Sequence, residues 1–484
     1  MKKFIVFTIS LLILFGCFGC KSTNSNKKCR YEISINLNSD MTADCTLDLN
    51  YVNNSDEEVK QLVFFLSANA FSKDAENKPI YKEYLSEAYP YGVNYGGIEI
   101  KEVIASNKKC EFSFLDGDKT LLCVDLETPL SHGEEREVFI SFDVVIPNVK
   151  HRFGYGENTI NLTGFYPTLC VFEKGEYYKN KYYPSGDPFY SEVADYLVNL
   201  TLPSIYSVAS SMKATSTSVM GSLTKYTYER QSVRDIAFII SDEFNILKET
   251  KNGVNVSYYY FEDENPEKSL KTAVNCIDWF SNNFSKYPYG EYVVCESDFL
   301  YGGMEYPCLS MIDSTLNGFD KDYCIAHETA HQWWYALVGN NECEEGYIDE
   351  GLTEYSTALF ISNYPEYNHT KNDLIKSAKT SYLDVRKALL NGGHKSAPIM
   401  KKNLGEFSSD LEYVSICYYR SELMFNELNN YMGDKKFFKF LKEIIKRYKY
   451  KNINTENLLS LAEKTKRGSK KLLENYINGV SVIK

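Results

Sequence analysis

Over the first half of the chain, apolar and polar residues alternate with a period of two. Tyr31-Glu-Ile33-Ser-Ile35-Asn-Leu37, Cys45-Thr-Leu47-Asp-Leu49-Asn-Tyr51 and Tyr196 to Leu202 carry the pattern most clearly. Successive side chains on a strand point to opposite faces, so each stretch predicts a half-buried antiparallel strand. Ile98 to Ile104, Val138 to Ile146, Leu223 to Tyr228 and Ile236 to Ile240 add further strands between Gly, Asn, Asp and Pro clusters, and a β-rich domain over residues 31–240 follows. No catalytic motif is legible in it. After Asn265-Pro266-Glu267 the period changes to three-to-four: Leu270, Ala273, Val274, Ile277, Phe280 and Phe284 predict an amphipathic helix that stops at Tyr287-Pro288-Tyr289-Gly290. A short strand over Tyr292 to Cys295 is next. Helices are then expected around Tyr323 to Leu337, from near Asp349, through Cys417, Met424, Leu428 and Met432, and through Phe437, Leu441, Ile444, Ile445 and Tyr448. The expected fold class is α+β and multidomain, with residues 241–484 as the catalytic-type domain.

The amino terminus changes this picture by adding a location. Lys2 and Lys3 precede an apolar run from Phe4 to Phe15, too short for a comfortable membrane span and so read as a secretory signal over residues 1–16. Leu14-Phe15-Gly16-Cys17 resembles the lipobox of bacterial lipoproteins, in which the Cys is diacylated; Cys20 offers a second such Cys, and a plain secretory signal or uncleaved anchor is the alternative. Residues 17–30 read as a polar tether, placing the folded domains outside the cytoplasm at a membrane surface. Composition, 44% hydrophobic and 24% charged, is that of a globular protein, and a net charge of -12 argues against a nucleic-acid partner. The thirteen Cys are irregularly spaced. Zinc-ribbon chemistry is excluded, most read as small buried hydrophobes, and Cys110 with Cys123 remains a candidate hairpin disulfide.

The chemistry gathers in one segment. His327-Glu328-Thr329-Ala330-His331 places two imidazoles at i and i+4, on one helical face, where both reach a single metal ion. Glu328 between them can bond a metal-bound water. Glu350, eighteen intervening residues after His331 in Tyr347-Ile-Asp-Glu350-Gly351-Leu, supplies an oxygen ligand from a second helix. Two His and one Glu leave a coordination position open for water or substrate, the mark of a catalytic rather than a structural zinc.

These residues, with Gln332-Trp333-Trp334 and the upstream Gly302-Gly303-Met304-Glu305-Tyr306, resemble the aminopeptidase N family of zinc metallopeptidases, the gluzincin aminopeptidases. The resemblance spans Tyr31 to the carboxyl terminus. It implies a β-saddle domain followed by a thermolysin-like catalytic domain, with one zinc ion per chain. It also implies that the loop Gly302, Gly303, Met304 and Glu305 binds the substrate amino terminus through the Glu305 carboxylate; Tyr306 stands where the family pattern has Asn. A Tyr in a Tyr-x-Lys-Gly pattern stabilises the oxyanion in this family, and here Tyr418-Tyr419-Arg420-Ser421 fits, with Arg for Lys and Ser for Gly. Tyr419 and Tyr413 are the fallback candidates.

Charge supports the same segment. From Glu291 to Phe360 there are fourteen acidic residues against one base, Lys321, and a negative cleft favours both a metal dication and a cationic peptide terminus. Tyr431 to Lys484 carries fourteen bases and five acids; a solvated helix face accounts for it more simply than contact with anionic lipid. Glu354, one turn after Glu350, is either an exposed helical Glu or the acceptor for the outer nitrogen of a metal-bound imidazole. The expected function is a membrane-anchored, extracytoplasmic zinc aminopeptidase acting on peptides. The alternatives are a zinc endopeptidase with an open cleft and a surface binding module on a peptidase scaffold; the latter would have lost a ligand or the base, and this sequence has lost neither.

Overall fold

A computed structural model describes residues 27–394 and 397–483; Cys17, Cys20 and the signal segment lie outside the described residues. The β-rich half is built on an eight-stranded sheet. In spatial order its strands are Lys213–Met220, Leu223–Val233, Ala194–Pro203, Arg30–Leu37, Thr42–Val52, Glu135–Val145, Gly97–Ala105 and Lys108–Lys109. The alternation along Arg30–Leu37 puts Tyr31, Ile33, Ile35 and Leu37 into the core, opposite Leu47 and Leu49 of the next strand. One pairing departs from the antiparallel expectation: Arg30–Leu37 runs parallel to Ala194–Pro203, with Tyr31 beside Tyr196. Those strands are joined by a crossover of more than a hundred and fifty residues, which frees them from hairpin geometry. Two four-stranded sheets and a two-stranded ribbon, Phe172–Glu173 with Glu176–Tyr177, complete this half, and one of the four-stranded sheets contains Ala237–Ser241, buried along its whole length.

The second half opens with a mixed five-stranded sheet in the order Asn245–Lys251, Val254–Tyr260, Glu291–Ser297, Leu309–Asp313 and Gly303–Met304. Helix Pro266–Asn283 buries Leu270, Ala273, Val274, Ile277 and Phe280 beneath it. The remaining long helices are Gly318–Ala330, Tyr347–Ile361, Lys371–Asn391, Ser421–Met432, Asp434–Tyr448, Thr455–Thr465 and Ser469–Ile477. The metal-motif helix thus begins and ends several residues before the span expected from sequence. Trp333 to Val338 are buried on every side, so their apolar run continued the pattern without continuing the helix. Helix Asp434–Tyr448 buries Phe437, Phe440, Leu441, Ile444 and Ile445 and leaves Lys435, Lys436, Lys439, Lys442 and Lys446 exposed. Among the described residues no helix is long and apolar enough to cross a membrane.

The two halves are fastened by polar as well as apolar contacts. Ala209, Ala237 and Ile239 share a core cluster with Cys295, Phe299, Met304, Tyr306, Leu309 and Met311. Arg234, 1% exposed, donates to the carbonyls of Tyr335 (2.9 Å), Ser191 (2.9 Å) and Lys451 (2.6 Å). Gly339 packs on it so closely that a Cβ there would lie 2.4 Å from the guanidinium carbon. Asp298, at the end of the central strand, accepts from the backbone N–H groups of Asn158 and Thr159, while Asn161 donates to its carbonyl at 3.0 Å. The eleven described cysteines are free. The Cys110–Cys123 disulfide does not form: the ladder sets Cys123 opposite Ser113, leaving Cys110 out of register.

Candidate metal centre and active site

His327 and Glu328 lie in the last turn of helix Gly318–Ala330, and His331 caps it with helical dihedrals (φ -60°, ψ -16°), so the i, i+4 alignment survives the helix end. The helix is pinned from below. Lys321, 4% exposed, reaches Glu296 on the central strand at 2.6 Å, and Thr329 bonds Tyr292 at 2.8 Å. Trp333 donates to the Ser285 carbonyl at 2.9 Å and Trp334 to the Ser356 hydroxyl at 2.9 Å, tying the following turn to neighbouring helices.

The two Nε2 atoms of His327 and His331 stand 3.1 Å apart, and each lies 3.4 Å from Glu350 Oε2. Glu350 is 2% exposed in the first turn of helix Tyr347–Ile361, and its Oε2 has no hydrogen-bond partner. His331 Nδ1 faces the Trp334 carbonyl at 3.2 Å. A carbonyl only accepts, so Nδ1 donates toward it, with the Thr353 hydroxyl 3.1 Å away, and Nε2 is the nitrogen turned to Glu350 and His327. His327 Nδ1 is 3.3 Å from Glu354 Oε1, an ion-pair distance without hydrogen-bond alignment. Glu354 is therefore buried beside an imidazole, with its other oxygen bonded by Tyr323. Burial favours the neutral form of Glu350, yet His331 and His327 hold its pKa down at about 2. Burial likewise opposes charge on His331, but Glu305 and Glu350 raise its pKa to about 10. Three converging ligand atoms, one an orphaned carboxylate oxygen and two imidazole Nε2 atoms, call for positive charge and fit zinc.

Glu328 is 5% exposed with Oε2 unpartnered; burial pushes its pKa up to about 7 against the pull of the two imidazoles. The edge strand Gly303–Met304 passes directly over it, and a Cβ on Gly303 would fall 2.3 Å from Glu328 Oε1. Gly302 turns the chain with φ +82°. These glycines admit the loop to the site. Met304 departs from its expected place: its side chain is buried in the core between the halves and accepts from Arg152 Nε at 3.0 Å, because strand alternation turns it away from Glu305. Glu305 faces the cleft, 3% exposed, with Oε1 unpartnered; burial, then Asp187, raises its pKa well above the carboxylate range. Tyr306 instead plugs into the β-rich half, donating to Thr163 at 2.6 Å. Gln332 holds both its carbonyl (3.1 Å) and the Cys308 N–H (2.7 Å).

Tyr418 sits in a π-helical turn, Ser415–Arg420. Its hydroxyl donates to Glu350 Oε1 at 2.7 Å, and its ring lies parallel to that of His327 with centroids 5.8 Å apart. Tyr413 also lines the cleft, whereas Tyr419 does not. The cleft, about 560 Å³, is walled by both halves, with Tyr84, Arg152 and Asp187 on one side and the metal cluster on the other. Arg152 and Asp187 bring the β-rich half, in which no catalytic motif is legible, to the cleft. They form a buried ion pair, and carboxylate oxygens of Asp187, Glu305 and Glu350 all lie within 4.8 Å of one another. The turn Pro184-Ser-Gly-Asp187-Pro188 was the signal available in the sequence. Asp349 is a further buried carboxyl that sequence reasoning passed over; it accepts from Asn340 at 2.9 Å, and burial and Glu350 raise its pKa to about 8.

A β-rich domain packed on an α+β domain whose helices bring two His and one Glu together is an arrangement that fits a zinc-dependent hydrolytic site. Residues 268–478 match the Peptidase family M1 domain. Among curated relatives, puromycin-sensitive aminopeptidase of Caenorhabditis elegans is 27% identical over 274 residues, covering 52% of this chain and 28% of that protein. Endoplasmic reticulum aminopeptidase 1 of Rattus norvegicus is 26% identical over 240 residues, 46% of this chain and 25% of that protein. The matches thus span about a quarter of these relatives. An M1 zinc metallopeptidase from Deinococcus radiodurans superposes with a TM-score of 0.65 at 15% identity, covering 94% of both chains. That likeness shows the two-domain fold alone.

Proposed function

We propose that this protein is a zinc-dependent aminopeptidase that removes amino-terminal residues from peptides at an extracytoplasmic membrane surface, anchored through a lipid on Cys17. The observation that carries the reading is the buried, unpartnered Glu305 carboxylate, grouped with oxygens of Asp187 and Glu350 beside the metal ligands. Such a group recognises a small cation and leaves a peptide ammonium next to the scissile bond. Curated relatives named as aminopeptidases support the same class.

His327, His331 and Glu350 would hold the zinc, which when bound acidifies water and polarises the substrate carbonyl. Glu328 takes the proton of the attacking water and delivers it to the leaving amine. The Tyr418 hydroxyl, resting on Glu350, turns its O–H toward the developing oxyanion. Glu305, with Asp187 steadied by Arg152, receives the substrate ammonium and so sets the distance from chain end to cleaved bond.

The test is incubation of unmodified and N-acetylated copies of one peptide with the purified protein, with products followed by mass spectrometry. Stepwise loss of single residues from the unmodified peptide, abolished by chelator and restored by zinc, is expected. Internal cleavage of both copies at equal rates would overturn the aminopeptidase reading in favour of an endopeptidase.

A further inference from the structure

Arg420 occupies the position where the Tyr-x-Lys-Gly pattern has Lys, and its surroundings are not those of a surface base. It is fully buried at 0% exposure. Its Nη1 donates to the Tyr382 hydroxyl at 3.1 Å, and Nε and Nη2 donate to the Tyr476 carbonyl at 3.4 and 3.1 Å. Nη2 also donates to the Ser481 carbonyl at 3.1 Å. The guanidinium carbon lies 5.7 Å from the centroid of the Tyr382 ring and 5.3 Å from that of Tyr476. These contacts replace a carboxylate partner. Tyr476 lies in the last turn of helix Ser469–Ile477, where the helix dipole favours a cation, and the two phenol rings add cation–π attraction.

What this clamp holds is the π-helical turn that carries Tyr418. The opposite side of the turn is fixed differently. Ser421 Oγ donates back to the Tyr418 carbonyl at 2.9 Å, and its Cβ presses on helix Tyr347–Ile361, where a Cβ added to Gly351 would lie 2.5 Å away. The turn is therefore braced by Ser421 against the helix of Glu350 and by Arg420 against the segment Tyr476–Ser481. A π-helical turn is an uncommon, locally strained conformation that persists where its surroundings impose it. We propose that Arg420 is a positioning residue for the reaction, acting through Tyr418: by bracing the turn against the carboxyl-terminal segment it sets the height of the Tyr418 hydroxyl over the metal cluster. The proposal rests on the oxyanion role given to Tyr418 above. A Lys here would supply donors from a single point, whereas three acceptors in different directions between two rings match the planar fork of Arg.

The experiment measures kcat, KM, zinc content and thermal midpoint for Arg420→Met, Arg420→Lys and Tyr382→Phe, each alone and combined with Tyr418→Phe, on one peptide with a free amino terminus. Arg420→Met is expected to keep its zinc, to change KM less than about threefold and to lower kcat by about tenfold or more. In the Tyr418→Phe background it should cost less than about twofold, since the group it positions is already gone. Arg420→Lys should recover part of the loss. Tyr382→Phe, which removes one acceptor and leaves the guanidinium in place, should show a smaller loss with the same dependence on Tyr418, and it decides the matter if Arg420→Met does not fold. Equal losses of kcat in the two backgrounds, or unchanged kcat with a lowered thermal midpoint, would overturn the proposal and leave Arg420 a purely structural residue. Normal kcat in Tyr418→Phe alone overturns instead the role of Tyr418, and is read separately.

Discussion

Replacing Glu305 by Gln keeps the volume of the side chain and removes only its charge. The carboxylate is 3% exposed, and its free oxygen faces the cleft beside oxygens of Asp187 and Glu350. A hydrogen bond from a substrate ammonium to such a carboxylate contributes about 1.5–3 kcal/mol. At roughly 1.4 kcal/mol per factor of ten, its loss lowers kcat/KM on a peptide with a free amino terminus about ten- to a hundredfold. An N-acetylated copy of the peptide never made the contact, so its kcat/KM should change less than about twofold. The preference for the free terminus should shrink by the difference. Burial, then Asp187, raises the pKa of Glu305 well above the carboxylate range, so Gln replaces a side chain whose charge its surroundings oppose, and the thermal midpoint should stay level or rise. The assay is a pair of fluorogenic or mass-resolved peptides, matched except for the acetyl group, with zinc content checked in parallel. An equal fall on both peptides would refute the assignment, because Glu305 would then be acting on the chemistry common to them and not on the terminus.

Four further outcomes are expected. His331→Ala or Glu350→Ala should lose zinc, whereas Glu328→Gln should retain it while turnover falls by roughly a hundredfold or more; metal analysis beside a rate assay separates them. Tyr418→Phe should lower kcat by about a hundredfold with zinc content unchanged, and normal turnover would transfer the role to Tyr413, which also lines the cleft. Cys17→Ser should move the protein from the membrane to the soluble fraction or leave it unprocessed, and retention with a mature terminus at Cys20 would assign the lipid there. Burial works against the Asp118 charge, but donors on Glu76 and Asn77 outweigh it and lower its pKa. Its stabilisation is therefore present above the ordinary Asp pKa and lost as pH falls through the lower folded value. Asp118→Asn should melt earlier than wild type at neutral pH, and the two should converge in strong acid.

What was legible in the sequence follows from the range over which each feature is encoded. His327, Glu328 and His331 share one helical face by spacing alone, and Glu350 needed only a second nearby helix. The alternation of Tyr31 to Leu37 and the three-to-four period after Pro266 are likewise local, because one side of each element faces solvent or a neighbouring polar layer. Trp333 to Val338 broke the reading since a stretch buried on all sides carries no period. The strand Asn245–Lys251 was missed for the opposite reason: it lies at a sheet edge with no residue fully buried. Arg152 and Asp187 reach the cleft through the packing of one half on the other, which no local pattern records. Met304 shows the limit of a motif, which fixes order along the chain and not which way each side chain turns.

The fastening of the two halves bears on how far the catalytic half could be treated as a portable unit. A chain cut after the β-rich half would strip Asp298 of the Asn158 and Thr159 donors it accepts and would remove Arg234 from the carbonyls of Tyr335 and Lys451. It would also expose Met304, Tyr306 and Met311 to water. Such a fragment could retain every metal ligand on its two helices while the edge strand Gly303–Met304 loosened, leaving Glu305 no longer flanked by Asp187. Transplanting this chemistry into another scaffold therefore means carrying the partner surface along with the motif.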